Sequence, residues 1–179
     1  MIARSWAIEL SERSIFKIAG LTVTTTMTTT LEFLADKLAI EQIYIRYCEA
    51  IDNKQFDALS EVFVADTYHD YTQALGPGVF VTSLQQLLES MRANLGEGSN
   101  CGATQHNVNN FRIGIDGDTA RARVNYYAVH RGVGKFAGAL YSMWGLYDDE
   151  LVRTANGWRV ARRKYTTFLT EGPVVTSRG

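Results

Sequence analysis

Few side chains in this sequence can move a proton near neutral pH, and the run TQHNVNNF at 104–111 carries one of them, His106, set among amides. His130 closes the run TARARVNYYAVHRG, and Asp52 closes a helical stretch, where its charge opposes the negative end of the helix dipole. A carboxylate in that position needs another partner. One candidate is local: DNKQ at 52–55 has the form of a capping box for a following helix, with Asp52 accepting backbone N–H bonds and Gln55 reaching back. The other is a role in a reactive site. His69, Asp70, His106 and His130 are the side chains that could gather around a metal, but no tight spacing of the H-E-x-x-H type is present, and no metal is expected.

The elements that would position these groups follow from periodicity. Leu34, Leu38, Ile43, Tyr47 and Ile51 recur at nearly helical steps and predict a long helix over 31–51. FDALSEVFV predicts a second, short helix through Phe56, Leu59, Val62 and Phe63. TSLQQLLESMRANLGEG predicts a third, capped by Thr82 or Ser83 and stopped by a left-handed Gly96. TYHDYT and GVFVT read as short strands. After Gly102, β-branched and aromatic segments separated by GIDGDTA, HRGVGKF and TANGW predict four long antiparallel strands. Helices first and a strand meander afterwards predict an α+β domain, a cone-shaped half-barrel whose curved antiparallel sheet is packed with about three helices around a pocket.

Strand parity sorts the chemistry. In TARARVNYYAVHRG, Ala120, Ala122, Val124, Tyr126, Ala128 and His130 share an apolar face, so His130 points inward. For His106 the parity conflicts with Phe111, Ile113 and Ile115. Either the histidine faces outward, or a bulge near VNN shifts the phase. Arg159, Arg162, Arg163 and Lys164 read as strand-exposed charges. Trp144, Phe80 and Tyr141 suit the lining of a pocket for a flat ligand, and equally an ordinary core.

Composition narrows the partners. The chain has 179 residues, 46% of them hydrophobic, with 18 basic against 19 acidic side chains. That is one domain's worth of core, with no broad field to draw it onto nucleic acid or an anionic membrane. A small, weakly charged molecule is the expected ligand. Cys48 and Cys101 do not make a disulfide framework, and a reducing, cytoplasmic setting is expected. The stretch 1–30, with its threonine-rich LTVTTTMTTT, stands apart in texture as an N-terminal extension. Met27 is an alternative start, which would place residues 1–26 outside the native product. The domain is expected over 31–172, followed by a tail at 173–179.

LADKLAIEQIYIRYCEAIDNKQFDALSEVFVADTYHDY, the TQH that opens a strand, GIDGDTARARVNYYAVH and NGWRVARRKY together resemble the SnoaL-like branch of the nuclear transport factor 2-like superfamily, over about residues 31–170. That branch includes scytalone dehydratase, bile acid dehydratase and hexachlorocyclohexane dehydrochlorinase. The resemblance implies a cone with an Asp–His pair inside, formed by Asp52 and His106. It puts His130 where scytalone dehydratase has a second pocket histidine and Tyr47 where bile acid dehydratase has a catalytic tyrosine. The sequence departs from those patterns at Ile51, at Ser142 and at Thr166 or Thr167.

On this basis Asp52 would orient His106 as a general base, and His130 would protonate the leaving group. Tyr47 would donate a hydrogen bond to developing negative charge, with Tyr68, Tyr71 and Tyr126 as further candidates and Trp144 in the pocket wall. The expected activity is a cofactor-independent, dehydratase-type lyase acting on a small hydroxylated aromatic or polycyclic substrate, in a homodimer or homotrimer. Isomerisation, cyclisation or carbon–carbon cleavage could use the same pair. A non-catalytic subunit of this fold, such as the small subunit of a dioxygenase, is the alternative from another class.

Overall fold

The computed structural model describes residues 14–18, 21–25 and 31–176. The chain divides into two compact units, Met1–Ala35 and Asp36–Gly179. In the first, β1 (Ser14–Ile18) pairs with β2 (Leu21–Thr25) as an antiparallel hairpin, so the start of the threonine-rich stretch is strand. The rest of the extension, Met27 included, lies outside the described residues.

Helix α1 (Leu31–Asp52) buries Ile40, Ile43, Tyr44, Tyr47, Cys48 and Ile51, while Leu38 stays exposed. The buried stripe is thus rotated from the one expected, because Tyr44 and Cys48 join it. The expected second, short helix is present but shorter than its apolar phase implied. Phe56–Glu61 is a 3-10 turn, and β3 (Phe63–Asp70) begins where the apolar phase was thought to continue. Phe56 and Leu59 are buried from the turn, Phe63 from the strand. A single turn α2 (Thr72–Leu75) and the two-residue β4 (Phe80–Val81) lead to α3 (Leu84–Leu95). Ser83 caps α3 by accepting the Gln86 N–H at 3.2 Å. Gly96 stops it in an extended conformation, φ −83° and ψ −172°, not a left-handed one.

The four long strands are β5 (Cys101–Asp116), β6 (Thr119–Gly132), β7 (Leu140–Thr154) and β8 (Gly157–Glu171). They form a six-stranded sheet in the order β4-β3-β8-β7-β6-β5, antiparallel except where β3 runs parallel to β8. The parity read for β6 holds, with Ala120, Ala122, Val124, Tyr126, Ala128 and His130 all buried. Gly145 on β7 is required by close approach: a Cβ there would strike the Thr166 carbonyl and the Tyr126 ring.

Two bulges decide which charges enter the core. On β5 the register slips between Asn109 and Arg112, with Asn110 at φ 54°, so Thr104, His106 and Val108 share the inner face with Phe111, Ile113 and Ile115. This is the phase shift that the conflicting parity allowed. On β8 the slip opposite Glu150 and Leu151 leaves Ala161 unpaired and turns Arg163 inward. Arg163 was expected on the surface. It is instead 1% exposed, held to Asp149 by hydrogen bonds of 2.8–3.2 Å. Among the described residues, no helix is long and apolar enough to cross a membrane.

Candidate active site

Asp52 ends α1, and its carboxylate reaches β5 instead of capping the turn that follows; Gln55, at the start of that turn, makes no side-chain cap. Oδ1 lies 2.7 Å from Nδ1 of His106 and accepts the Thr104 hydroxyl at 2.9 Å, and Oδ2 accepts the His106 backbone N–H at 2.8 Å. Burial alone would raise the Asp52 carboxyl, but these bonds outweigh it and hold the group below the usual carboxylate range. An ionised carboxylate can only accept, so Nδ1 of His106 is the donor in this contact and, in the neutral ring, Nε2 is the acceptor. The imidazole side chain is 6% exposed and the Asp52 side chain 23%.

His106 borders a cavity of about 120 Å³ whose walls come from α1, α3 and the inner sheet face: Tyr47, Tyr71, Met91, Leu95, His130, Met143 and Tyr165 among them. The imidazoles of His106 and His130 are 5.4 Å apart at 88°, and the Tyr47 ring is 6.3 Å from His106. On their other side Asp52 and His106 border an open groove with Cys48, Glu49, Asn53, Gln105 and Asn107.

The structure brings together Asp52, His106, His130 and Tyr47, and of the further tyrosine candidates Tyr71 lines the same cavity. Tyr126 is buried deeper, stacked on Tyr147 at 4.7 Å and 3.0 Å from the Thr167 hydroxyl, outside the cavity lining. Tyr68 and Trp144 depart from expectation, because both stand on the opposite face of the sheet. Tyr68 stacks on Phe80 beneath the Arg162 guanidinium, at the edge of a separate open hollow, and Trp144 stacks on Tyr127. Their strands turn Thr67, His69, Met143 and Tyr147 inward instead. His69 is in the core, stacked on Tyr71, with Nε2 at 3.1 Å from the Thr67 hydroxyl. Among the described residues, no three metal-binding side chains converge.

His130 is tuned against the acid role first expected of it. Its Nδ1 lies 3.3 Å from the Tyr141 carbonyl, which can only accept, so the ring hydrogen sits there. Burial, followed by the neighbouring His106, pushes its pKa down to about 4. At neutral pH His130 therefore offers the cavity an acceptor. Burial raises both Tyr47 and Tyr71, which keeps their hydroxyls protonated as donors.

Residues 32–164 match the family model of the SnoaL-like domain. The chain belongs to the SnoaL-like family. An uncharacterised protein of Mycobacterium tuberculosis is 34% identical over 134 residues, covering 74% of this chain and 86% of the relative. A crystal structure of a Kribbella flavida protein superimposes with TM-score 0.70 at 27% identity, over 78% of this chain and 95% of the other. A scytalone dehydratase-like protein of Novosphingobium aromaticivorans gives TM-score 0.70 at 23% identity, over 82% and 93%. At that identity the last likeness speaks for the fold alone.

Two residues of the site escaped sequence reasoning, Thr104 and Lys54. Thr104 precedes His106 by two, the spacing that puts both on one strand face. Lys54 sits at the helix stop, and its Nζ is 3.3 Å from the Thr104 hydroxyl.

Proposed function

We propose that this SnoaL-like protein is a cofactor-independent lyase, with His106 as the general base oriented by Asp52. The observation that carries this reading is the 2.7 Å Nδ1–carboxylate contact beside a small cavity, which leaves Nε2 as the ring nitrogen free to meet a substrate. Nε2 takes a proton from carbon next to a carbonyl, and Asp52 stabilises the resulting imidazolium. The Tyr47 hydroxyl donates to the enolate oxygen. The imidazolium then returns its proton to the departing hydroxyl, the former C–H electron pair becomes the new double bond, and water leaves. His130, an acceptor, receives a hydrogen bond from a substrate hydroxyl and helps to orient it.

A cavity of about 120 Å³ is near the size that holds a single benzene ring. Its lining supplies aromatic, thioether and aliphatic surface together with the neutral polar side chains of Ser90, Asn94 and Thr176, and no Lys, Arg, Asp or Glu. The substrate that fits is a neutral, hydroxylated monocycle, and a polycycle would require the walls to part. The test is incubation with a metabolite extract followed by mass spectrometry. The expected result is a product lighter by one water with the parent protein and none with His106→Ala; a fully active His106→Ala protein would end the proposal.

A further inference from the structure

Helix α1 ends in a way that costs stability at the residue beside the dyad. The Lys54 N–H bonds the Ile51 carbonyl at 3.1 Å and the Gln55 N–H bonds the Ala50 carbonyl at 2.8 Å, the paired bonds of a Schellman stop. The residue at its left-handed position is Lys54, at φ 58°. Glycine takes that conformation without strain, whereas a side chain does not. Among the described residues only Lys54 and Asn110 are non-glycine residues with positive φ, and they stand two residues after Asp52 and four after His106. A strained residue beside a reactive pair suggests that its side chain is needed there.

That side chain leads to the dyad. The ammonium has donors only, so the 3.3 Å contact commits a lone pair of the Thr104 oxygen to Lys54. The Thr104 hydrogen then points at Asp52 Oδ1, 2.9 Å away. We propose that Lys54 is a positioning residue: through Thr104 it fixes the third donor on the Asp52 carboxylate, and its positive charge restrains the basicity that this carboxylate confers on His106.

The groups that share the neighbourhood are Asp52 from α1, Cys101, Thr104 and His106 from β5, and His130 from β6. Lys54 is half-buried among them, screened less than a surface lysine. Removing its charge favours the imidazolium, so the sign is fixed: the titration of His106 moves to higher pH. The consequence for turnover rests on the general-base reading above. The electrostatic coupling does not, because it can be read in the free protein without substrate, so the two can fail separately.

The experiment is an imidazole NMR titration together with thermal unfolding of Lys54→Gly, Lys54→Met and Lys54→Arg. Lys54→Gly relieves the left-handed strain and unfolds at or above the parent temperature, yet the His106 midpoint rises by roughly half a pH unit. Lys54→Met, which keeps the aliphatic stem, gives the same rise, and Lys54→Arg keeps the parent midpoint. A His106 midpoint that stays at the parent value in both the Gly and Met variants would overturn the proposal and reduce Lys54 to a helix stop.

Discussion

Two carboxylates, the partly exposed Asp52 and the fully buried Asp149, each meet a nitrogen partner that a bulge has turned into the core, and their surroundings separate the proposed reactive pair from a structural one. Asp149 is fully buried and takes the Arg163 guanidinium side-on, with the Tyr44 hydroxyl donating to it at 2.8 Å. The rings of Tyr147, Tyr47, Phe63 and Tyr44 surround that guanidinium with centroids 4.1–5.8 Å away. Arginine does not give up its proton in a protein, and no solvent reaches the pair to exchange one. Asp52 meets an imidazole instead. That partner has a second ring nitrogen and borders a cavity. The chemistry thus follows from the partner and from what its far side faces, more than from the carboxylate.

The comparison can be broken at several points. The largest effect is expected from Asp52→Asn, which keeps the shape of the site but exchanges one accepting oxygen for an NH2 donor and removes the charge that stabilises the imidazolium. Formation of the dehydrated product should slow roughly 10⁴-fold, while denaturant unfolding changes little. The mirror-image variant, Asp149→Ala, leaves a buried guanidinium uncompensated. It should cost about 3–5 kcal/mol in urea unfolding, so the carboxylate with no catalytic role is the one whose loss threatens the fold. Tyr47→Phe removes the proposed oxyanion donor, and kcat should fall roughly 10²-fold with the fold retained.

A smaller effect concerns pH. Burial, with Arg163 as a second cause, pushes His69 down to about 3, and His130 is down to about 4, both from an ordinary 6.5. The folded state keeps these rings neutral and the unfolded chain protonates them first. Their contribution is complete above about pH 6.5 and is lost as the pH falls toward 4, at about 1.4 kcal/mol per pH unit for each ring. Urea midpoints at pH 7 and pH 5 should show this fall, and His69→Gln should make it shallower. A pH-independent midpoint would contradict the assignment of two neutral buried imidazoles.

Much of this site was legible in the sequence. The clean parity of β6 placed His130 inside, and the resemblance paired Asp52 with His106. The conflict between His106 and Ile113 announced the β5 bulge without saying on which side the histidine falls. Polarity misled where the core is polar. Thr67, His69, Asp149 and Arg163 are buried, while the aromatic rings of Tyr68 and Trp144 stack on the outer face. An arginine in a run of charges reads as exposed until its carboxylate and its bulge are seen. Lys54 was hidden for a different reason: its part depends on a backbone conformation that no residue type there signals.

The central claim, that Asp52 holds the hydrogen on Nδ1 of His106 and leaves Nε2 free at the cavity, is tested most directly by the imidazole ¹⁵N chemical shifts of neutral His106. The account predicts the Nδ1–H tautomer in the parent protein and its loss in Asp52→Ala. A neutral ring carrying its hydrogen on Nε2, with Asp52 intact, would contradict it.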